Sequence, residues 1–180
     1  MNHYQIVSLM FYFVPAGAVF ALVFAALQYR KVVKISEGTA RMAEIAAAIR
    51  KGANAYLKRQ YTGVALFFDV MFLILATMSF GFHLLTPFVP FAFITSGFFS
   101  GLSGFIGMKI ATAANSRTAH AAQTSVNKAL RVSFSSGAVM GFVVVGLGLL
   151  DLSIWFIFLK FWYSTVDVIS NGSVLKFRTV

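Results

Sequence analysis

Along this chain, long apolar runs alternate with shorter stretches that hold nearly all of its charge. The apolar runs are Ile6 to Leu27, Val64 to Phe82, Phe88 to Met108 and Val132 to Tyr163. A helix needs about 20 mostly apolar residues to cross roughly 30 Å of hydrocarbon. Each run meets or approaches that length, so the pattern predicts an all-α, polytopic membrane protein with four transmembrane helices.

The second span has a long polar-sided approach. Ser36 is placed as an N-cap, with Glu37 set to meet the helix dipole and to pair with Arg41 four residues on. From there no proline occurs until Pro87. On a 3.6-residue period Met42, Ile45, Ile49, Ala53 and Tyr56 share one face, while Glu37, Arg41, Glu44, Arg50, Lys51 and Lys58 fall on the rest. One helix from about Glu37 to Phe80 is therefore expected, roughly 65 Å long at 1.5 Å per residue. Its first half would extend into the cytoplasm, where the apolar stripe needs a protein surface. The alternative is an amphipathic helix lying on the membrane with its basic face toward headgroups.

Local features refine the other spans. Pro15 removes one hydrogen bond inside the first and should kink it, a defect neighbouring helices can absorb. In the third, Gly97, Gly101 and Gly104 lie on one face, flanked by Ser96, Ser100, Ser103 and Gly107. The fourth has Gly137 and Gly141 in GxxxG spacing, then Gly146 and Gly148. In lipid such small residues let helix backbones approach, so both sets read as packing surfaces. Trp155, Trp162 and Tyr163, with Lys160, form an interfacial belt at the far end of the fourth span. Residues 1–163 then make one transmembrane four-helix segment, and 164–180 a short irregular tail with a turn signal at Asn171-Gly172.

Composition supports the lipid setting: 59% of the 180 residues are hydrophobic and only 11% charged, with a mean hydropathy of +0.82. The net charge of +10 would suggest nucleic acid in a water-soluble chain. Here the cations flank apolar spans, where topology explains them, and no nucleic-acid partner is expected. Arg30, Lys31, Lys34, Arg41, Arg50, Lys51, Lys58 and Arg59 lie between spans one and two. Lys109, Arg117, Lys128 and Arg131 lie around the link between three and four, and Gly81 to Pro87 carries neither Lys nor Arg. By the positive-inside rule both basic links are cytoplasmic, which puts the N-terminus outside and the end of the fourth span outside too. The first run reads as a retained span and not a signal peptide, because its charges follow the apolar stretch.

Candidate chemistry is sparse. With no cysteine there is no disulfide or thiolate site, and His3, His83 and His120 share no ligand spacing. Glu37 and Glu44 stand among cations, where surface pairing explains them. Asp69 and Asp151 fall inside the second and fourth spans, where an aspartate costs on the order of 3 kcal/mol and marks a possible intramembrane polar site. No phosphate loop, nucleophile elbow or HExxH occurs, so neither catalytic nor metal-binding residues are expected in this chain.

Three segments carry a family likeness. They are Glu37 to Tyr61 (EGTARMAEIAAAIRKGANAYLKRQY), Gly104 to Ala119 (GFIGMKIATAANSRTA) and Lys128 to Gly141 (KALRVSFSSGAVMG). In order and spacing they resemble the second, third and fourth helices of membrane-bound, ion-translocating inorganic pyrophosphatases. The likeness covers about the first 160 residues and implies the N-terminal, outer-helix part of a longer pump. It implies a parent enzyme in which hydrolysis of magnesium pyrophosphate drives H⁺ or Na⁺ across the membrane, with Mg²⁺ as cofactor and K⁺ as an optional one. A homodimer of many-helix subunits in a prokaryotic cell membrane is implied too. That family's substrate cage, with its Asp-x-x-x-Asp-x-x-x-Lys signature, has no counterpart here, so the chain alone is expected to be inactive and to bind no cofactor. Asp151 departs from the family pattern, as does the chain from Ser164 onward. The alternative is a non-enzymatic four-helix scaffold or accessory subunit, and a third reading is a small transporter coupled through Asp69.

Overall fold

The computed structural model describes the backbone of residues 3–170 and the side chains of residues 13–163. It consists of four long helices, α1 (His3–Val33), α2 (Ala40–Ala76), α3 (Val89–Thr124) and α4 (Val126–Ser170). A π-helical turn, Thr77–Gly81, continues α2, so the two make one rod of 42 residues, about 63 Å long. The four-span, all-α architecture and the long second helix match the expectation from hydrophobic pattern.

The start of α2 differs in detail. Thr39, not Ser36, is the N-cap: its backbone is extended and its hydroxyl accepts from the Met42 N–H at 3.4 Å. Ser36 instead accepts from the Gly38 N–H at 3.1 Å, closing the turn that precedes the helix. Gly38 sits at φ +93°, a left-handed conformation that disfavours any side chain. A methyl group there would also meet Met42 Sδ at 2.7 Å and His120 at 3.1 Å. The chain therefore turns sharply where it touches α3, and Glu37 falls outside the helix.

At the other end of α2 the ladder loosens. The Phe82 N–H donates to Thr77 O at 3.1 Å and the Leu84 N–H to Met78 O at 3.0 Å. Buried Ser79 donates to the Thr86 carbonyl at 3.1 Å, which ties the short connection into α3. Between α3 and α4 only Ser125 intervenes, in an extended conformation. The basic stretch around 109–131, expected as a connection between spans, is thus almost entirely helical. α4 continues through Ser170, past residue 164 where an irregular tail was expected; the Asn171-Gly172 turn signal lies outside the described residues.

The helices form a layer in the spatial order α1, α4, α3, α2. α4 is central and packs on α1 and α3, while α2 leans on α3. The core joins Ala25 and Val32 of α1, Ile110 and Ala114 of α3, and Val132, Val139, Val143 and Leu147 of α4. Small residues set the close approaches. A methyl on Gly146 would strike Leu22 at 2.9 Å, and one on Gly97 would strike the Phe68 ring at 2.2 Å. Gly137 and Gly141 behave otherwise: no described residue lies within 4 Å of a methyl built on either, so their GxxxG face is not a packing surface among the described residues.

Candidate functional site

Two polar clusters interrupt the apolar packing, one at the basic end of the bundle and one at membrane depth. At the basic end Arg117 of α3 is buried, only 7% exposed. Its Nε donates to the Ile35 carbonyl at 2.9 Å and its Nη2 to the Val33 carbonyl at 3.2 Å. Nη1 donates to Ala113 O on its own helix and pairs with Glu37 Oε1 at 3.0 Å. Arg117 therefore satisfies carbonyls that the end of α1 leaves free and fastens the α1–α2 linker to α3.

Arg50, one-third of the way along α2, closes the cluster from the other side. Its guanidinium reaches Glu37 with two bonds, Nη1 to Oε1 at 2.8 Å and Nη2 to Oε2 at 3.3 Å. The Arg50 hydrogen bond first, then the charges of Arg50 and Arg117, hold the Glu37 carboxyl below its ordinary value against the opposing effect of burial. The expected Glu37–Arg41 pair does not form, because Glu37 precedes the helix. Arg41 instead pairs with Glu44 at 2.7 Å on the exposed face. Arg50, expected as a solvated face residue, is a cross-linking one.

At membrane depth Asp151 of α4 is buried against α3, where the Ser96 hydroxyl donates to its Oδ2. Its Oδ1 is buried with no hydrogen-bond partner among the described residues. One turn on, the Trp155 Nε1–H donates to Thr95 Oγ1 at 2.7 Å. Trp155 thus stitches α4 to α3, and through Phe158 it joins Trp162 and Phe88 in one ring cluster. Asp69 is elsewhere. It lines an apolar groove of about 440 Å³ between α2 and α3, with Tyr61, Phe68, Gly97 and Phe98. Tyr61 spans this groove, donating to the Gly101 carbonyl at 2.6 Å. The two intramembrane aspartates are therefore not brought together; α3 stands between them.

Among the described residues no three His, Cys, Asp or Glu side chains gather at one place. His83 lies in the connection before α3 and His120 on α3 beside Gly38, while the side chain of His3 falls outside the described residues. The arrangement of these two clusters clamps helices to one another.

The family model for inorganic H+ pyrophosphatase matches residues 19–176. The chain belongs to that family. A provisionally named K(+)-stimulated pyrophosphate-energized sodium pump of Bacteroides thetaiotaomicron is 54% identical over 153 residues, 85% of this chain and 21% of the relative. A K(+)-insensitive pyrophosphate-energized proton pump of Moorella thermoacetica is 42% identical over 144 residues, covering 80% of this chain and 20% of the pump. The K(+)-stimulated sodium pump of Thermotoga maritima is 35% identical over 166 residues, 89% of this chain and 21% of the pump. The chain spans about a fifth of the length of these relatives.

Proposed function

We propose that these four helices are the outer, bracing part of a pyrophosphate-energised H⁺ or Na⁺ pump, whose hydrolytic centre is built from helices beyond this chain. The match of residues 19–176 to the pyrophosphatase family carries the reading. The geometry supports it: Arg117, Arg50 and Glu37 at the basic end and Asp151 with Ser96 within the span join helices to one another. In that pump Mg²⁺ would be held with pyrophosphate by other helices, and K⁺ dependence would be decided there too. The basic ends of α1–α4 face the cytoplasm of a prokaryotic cell, with the N-terminus outside. Two pump subunits pair as a homodimer.

Within this reading Asp151 latches α3 to α4, because a buried aspartate held by Ser96 links two helices that small residues bring close. Asp69 faces a helix of the remaining pump, since a carboxylate left to lipid would cost on the order of 3 kcal/mol. The test is a chimera in which this chain replaces the matching segment of the Bacteroides thetaiotaomicron relative. Membranes bearing it should release phosphate from pyrophosphate in Mg²⁺, while membranes bearing this chain alone should not exceed a blank. A folded, membrane-inserted chimera without turnover would defeat the proposal, as would turnover by this chain alone.

A further inference from the structure

α1 and α4 run antiparallel, as the ring contact of Phe24 with Phe142 and the seat of Leu22 on Gly146 show. At their basic ends a cleft of about 730 Å³ lies on the surface beside the packed Val32 and Val132. Lys31, in the last turn of α1, and Arg131, at the foot of α4, both line it, with Gln28 and Ser135 between them. No carboxylate lines this cleft, and neither cation has an ion-pair partner among the described residues. Arg50 and Arg117 differ from them, being joined to Glu37. Along the groove toward the apolar part of α4 the lining changes character. Phe134, one turn deeper than Leu130 and Arg131, is 74% exposed, so an open apolar ring lies on the membrane side of the cations.

A cationic cleft between spanning helices, opening onto an exposed apolar wall at the level where charge ends, has the polarity of a membrane lipid. Positive-inside topology requires cations near the interface, but it does not require two of them to converge in a concave site with amide and hydroxyl donors beside them. We propose that this cleft binds an anionic phospholipid. Lys31 and Arg131 hold the headgroup phosphate, Gln28 and Ser135 supply neutral hydrogen bonds, and an acyl chain lies along Phe134. Guanidinium and ammonium groups both suit a phosphate, and Arg can offer it two parallel bonds. The bound lipid would cover the cleft lined by α1 and α4. The site depends on membrane embedding and not on pump activity.

Native mass spectrometry of the detergent-solubilised 180-residue chain, with dioleoyl phosphatidylglycerol or phosphatidylcholine at equal concentration, tests this. The glycerol lipid should be retained in clear preference. Replacing both cations, Lys31→Gln with Arg131→Gln, should weaken its binding about 25-fold, the product of roughly fivefold per basic residue. The exchange Lys31→Arg with Arg131→Lys should keep it. Arg41→Gln with Lys51→Gln, an equal loss of charge on α2, should change little. Excess inorganic phosphate should not displace the lipid, because it has no acyl chain to cover Phe134. Absence of preference in the unsubstituted chain overturns the proposal by itself, whatever the variants do. Equal weakening by both charge-removing pairs would reduce the effect to net charge, and displacement by phosphate would make the cleft a free-anion site; either result also overturns it.

Discussion

Replacing Arg117 by Ala should release the α1–α2 linker more than any other single change at the basic end. Arg117 is 7% exposed and holds the Val33 and Ile35 carbonyls and the Glu37 carboxylate together. Removing one member of a buried ion pair typically costs about 3 to 5 kcal/mol, because its partners stay behind without compensation. Glu37 keeps its two bonds to Arg50 and is about one-quarter exposed, which brings the expectation to the lower end, about 3 kcal/mol. Since about 1.4 kcal/mol is tenfold in an equilibrium, local opening of the linker should become about 100-fold more populated. Arg117→Lys should fall between, because an ammonium cannot reproduce the planar fork that reaches two carbonyls and a carboxylate at once.

Limited trypsin cleavage after Lys34, an exposed residue within the linker, reads this opening directly when reclosing is fast. The control is Arg41→Ala. Arg41 and Glu44 are 76% and 68% exposed, and such surface pairs contribute about 0 to 1 kcal/mol. Cleavage should accelerate strongly in Arg117→Ala and by no more than a few-fold in Arg41→Ala. Equal rates in the two variants would mean that the linker is held by helix packing alone and that the buried arginine is not its fastener.

Further expectations concern the same end of the molecule. Glu37 has a lowered pKa, so its contribution is complete above the ordinary carboxylate value and is lost as pH falls through the lowered one; hydrogen exchange of the linker amides, corrected for intrinsic rate, should rise across that acid window and stay flat in Glu37→Gln. Ile45 and Ile49 are 50% and 40% exposed here, so Ala replacements should be mild in this chain. In the chimeric pump each should cost about 2 to 5 kcal/mol in thermal inactivation if another helix buries them. Cysteines at Thr86 and Thr124 should label from opposite sides of sealed cells, and same-side labelling would refute the four-span topology.

The spans were legible in the sequence because lipid demands one thing of a helix, a long apolar run, and each run is local. The long α2 was legible for the same reason: no proline interrupts it and its stripe keeps a 3.6-residue period. What escaped was pairing across distance. Arg117 bonds to Ile35, far back in the chain, and from the sequence it reads as one more topogenic cation. The available signal was its setting, a lone arginine among the small Ala113, Ala114 and Ala121 of α3, where α1 can come close. Glu37 was assigned to Arg41 by helical spacing, and that failed because Gly38 places the carboxylate before the helix begins. Asp151 and Asp69 were both legible as intramembrane carboxylates, but which one faces a neighbour depends on helix rotation, and periodicity alone does not fix that.

The faces this chain leaves open are as informative as those it closes. Gly146 is in contact with Leu22 and Gly107 with Met140, so small residues on α4 and α3 are used wherever a helix of this chain lies opposite. Gly137 and Gly141 are small for no reason found within the four helices, and the Ile45, Ile49 and Tyr56 stripe of α2 is bare where it rises beyond the apolar span. Lipid would explain an apolar face at membrane depth, but not glycines spaced for close helix approach, and not an apolar stripe on a segment flanked by Arg41, Lys51 and Lys58. Under the proposed function both faces are where the remaining pump helices dock. The cleft of Lys31 and Arg131 follows the opposite logic. Its cations have no ion-pair partner among the described residues and its apolar side is the exposed Phe134, which suits a mobile amphiphile better than a packed helix. The bundle therefore divides its surface by chemistry: glycine and aliphatic faces for protein, and the cationic cleft between α1 and α4 for lipid.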